Sequence, residues 1–125
     1  MRRLLSVVVS VYNEEEALAQ FYQVTEGILN TISWDYELVF VNDGSRDQSL
    51  SILNRLADSN PKVKVVSFSR NFGHEAAMIA GIDYSQGDGI ICMDADLQHP
   101  PACIPEIIRR FEDGYEVINM VRTKN

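Results

Sequence analysis

The chain has 125 residues, 46% hydrophobic and 23% charged, which suits one globular domain and excludes a disordered or collagen-like chain. Asp and Glu number 18 against 11 Lys and Arg, a net charge of -7. That balance argues against nucleic-acid binding but leaves room for an anionic ligand neutralised by a metal. No apolar run approaches the roughly 18 residues of a membrane span, and the short run after Arg3 lacks a small-residue cleavage site, so the expected compartment is the cytoplasm. Cys92 and Cys103 form no CxxC and have no zinc-spaced partners. They are expected to be reduced thiols, with Cys92 packed in a strand.

Leu4–Val11 is a run rich in valine, broken only by Ser6 and Ser10, and predicts a buried strand. Asn13, with Glu16 three residues on, predicts a capping box. The helix that follows is carried by Ala17, Leu18, Phe21, Val24, Ile28 and Ile32. Tyr36–Val41 predicts a second strand. Asp43-Gly44-Ser45 is turn chemistry, and Ser45 or Asp47 is expected to cap a helix through Ile52, Leu53, Leu56 and Ala57. Asn60-Pro61 stops it. Val63–Phe68 is a third strand, Arg70-Asn71-Phe72-Gly73 a loop, and His74 to Tyr84 a helix of small residues. Ile90–Met93 is a fourth strand. Pro100 and Pro101 open a helix whose face is Ile104, Ile107, Ile108 and Phe111, and Tyr115–Val121 is a last strand.

Strands alternating with helices imply right-handed crossovers and a mainly parallel sheet covered on both faces, an α/β fold. Ligands of such sheets bind beyond the carboxyl ends of the strands, where strand order reverses. The residues there are Tyr12-Asn13-Glu14, Asp43, Arg70-Asn71 and Asp94-Ala95-Asp96. On an extended segment, Asp94 and Asp96 point to the same side. Two carboxylates so placed repel unless a cation lies between them. Oxygen-only ligands select a hard ion, Mg²⁺ or Mn²⁺. A bare DxD also occurs as a pair of solvated turn aspartates. The turn after strand one has no G-x-G-x-x-G. Glu14-Glu15-Glu16 there suits the helix dipole but repels phosphate, so phosphate charge must be met elsewhere. Asp43 is suited either to turn formation or to accepting a hydrogen bond from a nucleoside. Tyr12 is suited to stacking on a base or to the core, and Arg70 to a phosphate or a surface ion pair. His74 and His99 are lone histidines suited to loops or caps, with His99 close in sequence to Asp96.

Four strings carry a family resemblance: Val7 to Glu16, Phe40 to Asp47, Ser69 to Ala77 and Met93 to Pro101. In order and spacing the chain resembles family 2 glycosyltransferases of GT-A fold. The last two strings are most similar to the branch that transfers sugar to a polyprenyl phosphate. The resemblance implies that Tyr12 and Asp43 hold the nucleotide base, with Ser10 and Glu14 nearby and Arg70 at a basic position. It implies Asp94 near the donor ribose or sugar and Asp96 as the principal metal ligand, with Asp94 beside it. Ser10 stands where many members have proline, Asn42 where an aspartate is common, and His99 where an acid is common.

Family members are substantially longer. The implied reading is therefore a nucleotide-sugar-binding half, residues 1–125, with the acceptor half, the catalytic base and any membrane helices beyond Asn125. The longer protein would sit at the cytoplasmic face of a membrane. The implied reaction is metal-assisted, inverting transfer from a UDP- or GDP-linked sugar to a polyprenyl phosphate, with Arg122 a further candidate near the diphosphate. The rivals are a sugar-nucleotide-binding fragment without turnover and a nucleotidyltransferase. The latter is disfavoured by the missing glycine-rich basic loop, and a receiver-type phosphoaspartate domain by the paired nucleotide-site strings. An apolar edge near Tyr115–Val121 predicts self-association.

Overall fold

The computed structural model describes residues 3–95, 103–112 and 117–119. In chain order the elements are β1 (Leu4–Val11), α1 (Leu18–Leu29), β2 (Asp35–Asn42), α2 (Ser49–Ser59), β3 (Val63–Ser67), α3 (His74–Tyr84), β4 (Gly89–Asp94), α4 (Ile104–Glu112) and β5 (Val117–Asn119). All strand pairings are parallel, in the order β3-β2-β1-β4-β5. The α/β reading holds. The chain winds outward from β1 through β2 to β3, then returns to the other side of β1 for β4. Strand order therefore reverses between β1 and β4.

Alternation along β1 separates two cores. Leu5, Val7, Val9 and Val11 join Leu18, Phe21 and Leu29 of α1, Leu53 of α2 and Ile104, Ile107 and Ile108 of α4. Phe21 meets Phe40 edge-on at 6.3 Å between ring centroids. Val8 turns to the other face, with Val39, Val41, Cys92 and Ala77 of α3. There α3 lies directly on the sheet: a Cβ at Gly81 would come within 2.3 Å of Val8 Cγ1. The same side holds a buried carboxylate. Glu37 accepts from the Ser6 hydroxyl at 2.6 Å and from the Gln86 N–H at 2.7 Å, and Ser6 Oγ accepts from the Gly87 N–H at 2.8 Å.

Three local expectations need correction. Asn13 caps no helix. It sits at φ 53°, and α1 begins only at Leu18, after a turn in which the Ala17 and Leu18 N–H groups share the Glu14 carbonyl. The reason is non-local. The Asn13 N–H donates to Ser45 Oγ and its Oδ1 accepts from the Arg46 N–H, so neither is left for a capping box. The buried stripe of α1 is Leu18, Phe21, Thr25 and Leu29, not the row through Val24, which is 40% exposed. Ile32 lies past the helix end but still packs on the core. For α2 the cap position is Gln48, which makes no side-chain cap bond; Ser45 is occupied by Asn13, and Asp47, one residue before the cap, accepts from the Ser49 N–H through Oδ1 at 2.9 Å. Asp96, His99, Pro100, Pro101, Tyr115, Val121 and Arg122, and the side chain of Phe111, lie outside the described residues.

Candidate functional site

The register places Ser10 of β1 between Val41 of β2 and Asp94, the last residue of β4. This is the reversal point, and a cavity of about 390 Å³ opens there. Ser10, Tyr12 and Glu14 line it from β1 and the turn after it, Asp43 from the end of β2, and Asp94 from the end of β4. Asn71, Gly73 and His74 complete the lining from the β3–α3 connection. Five of the residues read from the sequence as nucleotide contacts thus converge. Arg70 does not join them. Its guanidinium stacks over the Phe72 ring at 4.7 Å, outside the lining. Asp96 lies outside the described residues.

Asp43 is 2% exposed, and its carboxylate is bonded into the protein. Oδ1 accepts from the Phe72 N–H at 2.8 Å and, more weakly, from the Gly73 N–H at 3.3 Å. Oδ2 accepts from the Gly73 N–H and from Asn71 Nδ2, each at 3.1 Å. A second carboxamide bond runs from Asn71 Nδ2 to the Asp43 carbonyl. Gly44, next in sequence, makes the approach possible. It sits at φ 69°, and a Cβ there would fall 2.1 Å from the Arg70 carbonyl carbon.

The turns after β1 and β2 are laced together in the same way. Beyond the two bonds of Asn13, the Glu14 N–H donates to Ser49 Oγ at 2.9 Å and the Glu15 N–H to Asp47 Oδ2 at 3.1 Å. Desolvation pushes the Asp47 carboxyl up, but the bonds donated by Ser49 and Glu15 outweigh it and hold the group below the usual carboxylate value. A hollow of about 430 Å³ beside this turn is lined by Asn13, Glu14, Glu15, Glu16, Ala17 and Asp47. Its negative charge makes the start of α1 unfit to cradle a phosphate, as the sequence implies.

The main cavity is also acidic, with Glu14, Asp43 and Asp94 in its wall and no Lys or Arg among the described residues lining it. Among the described residues, no three His, Cys, Asp or Glu side chains gather to hold a metal ion. The donor set is nonetheless the oxygen chemistry a hard divalent ion takes, with ligand oxygens needed to complete it. Of the other lining residues, Asn71 is one of the strand-end residues that the fold class places at the ligand rim, while Gly73 and His74 are read from the sequence only as loop and cap, although the Ser69 to Ala77 string spans all three.

A family model described as glycosyl transferase family 2 matches residues 6–125. The chain belongs to glycosyl transferase family 2. Among its relatives, an uncharacterized glycosyltransferase, YkcC, of Bacillus subtilis is 50% identical over 119 residues, 95% of this chain and 37% of that protein. A prophage bactoprenol glucosyl transferase homolog of Escherichia coli is 46% identical over 114 residues, 91% of this chain and 37% of that protein. The family 2 chain described here thus spans 37% of the length of these relatives. In fold it is similar to the mannosyltransferase PcManGT of Pyrobaculum calidifontis, solved with GDP-Man and Mn²⁺, at TM-score 0.67 and 22% identity over 77% of this chain and 28% of that one. TarS of S. aureus in complex with UDP-GlcNAc superposes at TM-score 0.65 with 24% identity, over 85% of this chain and 32% of that one.

Proposed function

We propose that this chain is the donor-binding half of an inverting glycosyltransferase that moves a sugar from a nucleoside diphosphate to a polyprenyl phosphate. The observation that carries the reading is the convergence of Ser10, Tyr12, Glu14, Asp43 and Asp94 on one cavity at the strand-order reversal. The bactoprenol name of the Escherichia coli relative supports the acceptor class. The GDP-Man and UDP-GlcNAc complexes of the fold neighbours support the donor class.

Tyr12, 43% exposed at the mouth, offers its ring to the base. Asp43 acts on the nucleoside side chiefly by fixing residues 71–73, since both its oxygens are bonded there. Asp94 and Asp96 are assigned to a Mg²⁺ or Mn²⁺ ion, which when bound neutralises the leaving diphosphate. The acceptor oxygen attacks the anomeric carbon opposite the leaving group, with inversion. The base that takes its proton, and the acceptor half, are assigned to the length of the relatives that this chain does not span. No helix among the described residues is long and apolar enough to cross a membrane. The second reading is a unit that binds sugar nucleotide without turnover.

Isothermal titration with UDP- and GDP-sugars, in Mn²⁺ and in EDTA, tests the site. Binding is expected only with the metal. Asp96→Asn should weaken it by at least about tenfold in Mn²⁺ and leave the EDTA result unchanged. Equal binding in both media would sink the reading. Transfer of radiolabelled sugar to polyprenyl phosphate by this chain would exclude the non-catalytic alternative.

A further inference from the structure

The connection from β3 to α3 is fixed on two sides of the cavity. Asn71, Phe72 and Gly73 are bonded to Asp43, which follows β2. One residue further on, His74 Nδ1 lies 3.3 Å from Asp94 Oδ1, at the end of β4. In the sheet, β1 lies between β2 and β4. Residues 71–74 therefore form a strap across the end of β1, where Ser10 lines the cavity. Asp43 anchors one side and Asp94 the other.

The two members of the second anchor differ in freedom. The Asp94 side chain is 14% exposed and the His74 side chain 57%. The histidine backbone is nonetheless held, because His74 is the first residue of α3 and follows the doubly bonded Gly73. Among the described lining residues, His74 is the side chain able to bring a ring N–H to a wall carrying three carboxylates. A carboxylate at a strand end turns about its side-chain torsions. A ring nitrogen set against one of its oxygens fixes that torsion.

We propose that His74 is a positioning residue of the donor site: its imidazole sets the orientation of Asp94 and ties the 71–74 strap to β4. The proposal rests on the donor-site reading given under Proposed function. The contact requires a proton on Nδ1, facing Asp94, so the neutral ring must hold the tautomer that is intrinsically the less favoured.

Two measurements test it on the 125-residue chain. The first is a long-range ¹H–¹⁵N spectrum of the two histidines, assigned with His74→Gln. His74 is expected to show a protonated Nδ1, reverting to the Nε2–H form in Asp94→Ala. A wild-type His74 in the Nε2–H form would overturn the proposal. The second is isothermal titration with a UDP- or GDP-sugar in Mn²⁺, with thermal melts confirming that each variant is folded. His74→Ala should bind roughly five- to tenfold more weakly. His74→Asn, which keeps an N–H where Nδ1 stands, should recover to within about twofold of wild type. In an Asp94→Ala background, His74→Ala should cost nothing more. Additive losses from His74 and Asp94, or equal losses in the Ala and Asn variants, would overturn the proposal alone. A wild-type chain that binds no sugar nucleotide would overturn the donor-site reading and this proposal with it.

Discussion

Replacing Asp43 with alanine separates two roles a strand-end carboxylate can have. If it only touches ligand, the folded chain should not miss it. Here removal leaves the N–H groups of Phe72 and Gly73 without their acceptor and leaves the Asn71 carboxamide only its bond to the backbone carbonyl of residue 43. An unsatisfied buried donor costs about 1–3 kcal/mol. Phe72 is 52% exposed, so its backbone can reach water once the loop moves, and the low end applies. The expected destabilisation is about 2–3 kcal/mol in all, a fall in melting temperature of roughly 8–12 °C for a domain of this size. Urea titration should show a lower midpoint at unchanged slope. Hydrogen exchange should accelerate at the Phe72 and Gly73 amides before any amide of α3. Sugar-nucleotide affinity should fall about ten- to a hundredfold, because the strap is no longer held over the cavity. An Asp43→Ala chain with wild-type stability and exchange, but without nucleotide binding, would refute the anchoring role and make Asp43 a ligand contact alone.

Three further outcomes are expected. Thr25 Oγ1 is buried without a hydrogen-bond partner, so Thr25→Val, which keeps the shape and removes the orphan hydroxyl, should raise stability by about 1 kcal/mol in urea titration. An unchanged or lowered midpoint would show that the hydroxyl is satisfied. Gly44→Ala forces a Cβ into the Arg70 backbone at a positive φ and should lower stability by about 2 kcal/mol or more, with the same fast exchange at Phe72 and Gly73 as Asp43→Ala. Burial pushes the Cys92 thiol from 9.0 up to about 11, so a thiol reagent at neutral pH should label exposed Cys103 alone. The neutral Cys92 thiol contributes its full stability below pH 9, and that contribution is withdrawn as pH rises from 9 towards 11. A melting temperature in Cys92→Ala with the same alkaline dependence as wild type would contradict this.

Much of the fold is written locally. β1 runs over the residues its valine-rich run marks, and α3 over those between Gly73 and Ser85, because glycine and polar residues punctuate both segments sharply. The start of α1 was not legible. Asn13 carries the composition of a helix cap, but its bonds go to Ser45 and Arg46, 32 and 33 residues away, and no local pattern encodes that. The stripe of α1 was misphased for a related reason: Thr25 is polar and buried, Val24 apolar and exposed. At the cavity, topology alone makes strand-end residues neighbours, so Tyr12, Glu14, Asp43, Asn71 and Asp94 were legible as a group, while Ser10 came from the family resemblance and Arg70, named by the same argument, turns away. Their individual bonds were not. A carboxylate that holds backbone, as Asp43 does, and one set against an imidazole, as Asp94 is, look the same in a sequence.

The lacing of the strand-end turns has a consequence for how the proposed donor site can change. The groups that stitch the turns together, Asn13, Ser45, Asp47, Ser49 and the Asp43 carboxylate, are distinct from those that present open faces to the cavity, Ser10 and Tyr12. Loop order is settled when the chain folds, so an incoming ligand does not bear that entropy and its association is not slowed by a search among loop shapes. The division of labour also means that a face residue can be exchanged without loosening the frame. Selectivity among bases or sugars can drift one side chain at a time on a scaffold that stays rigid throughout.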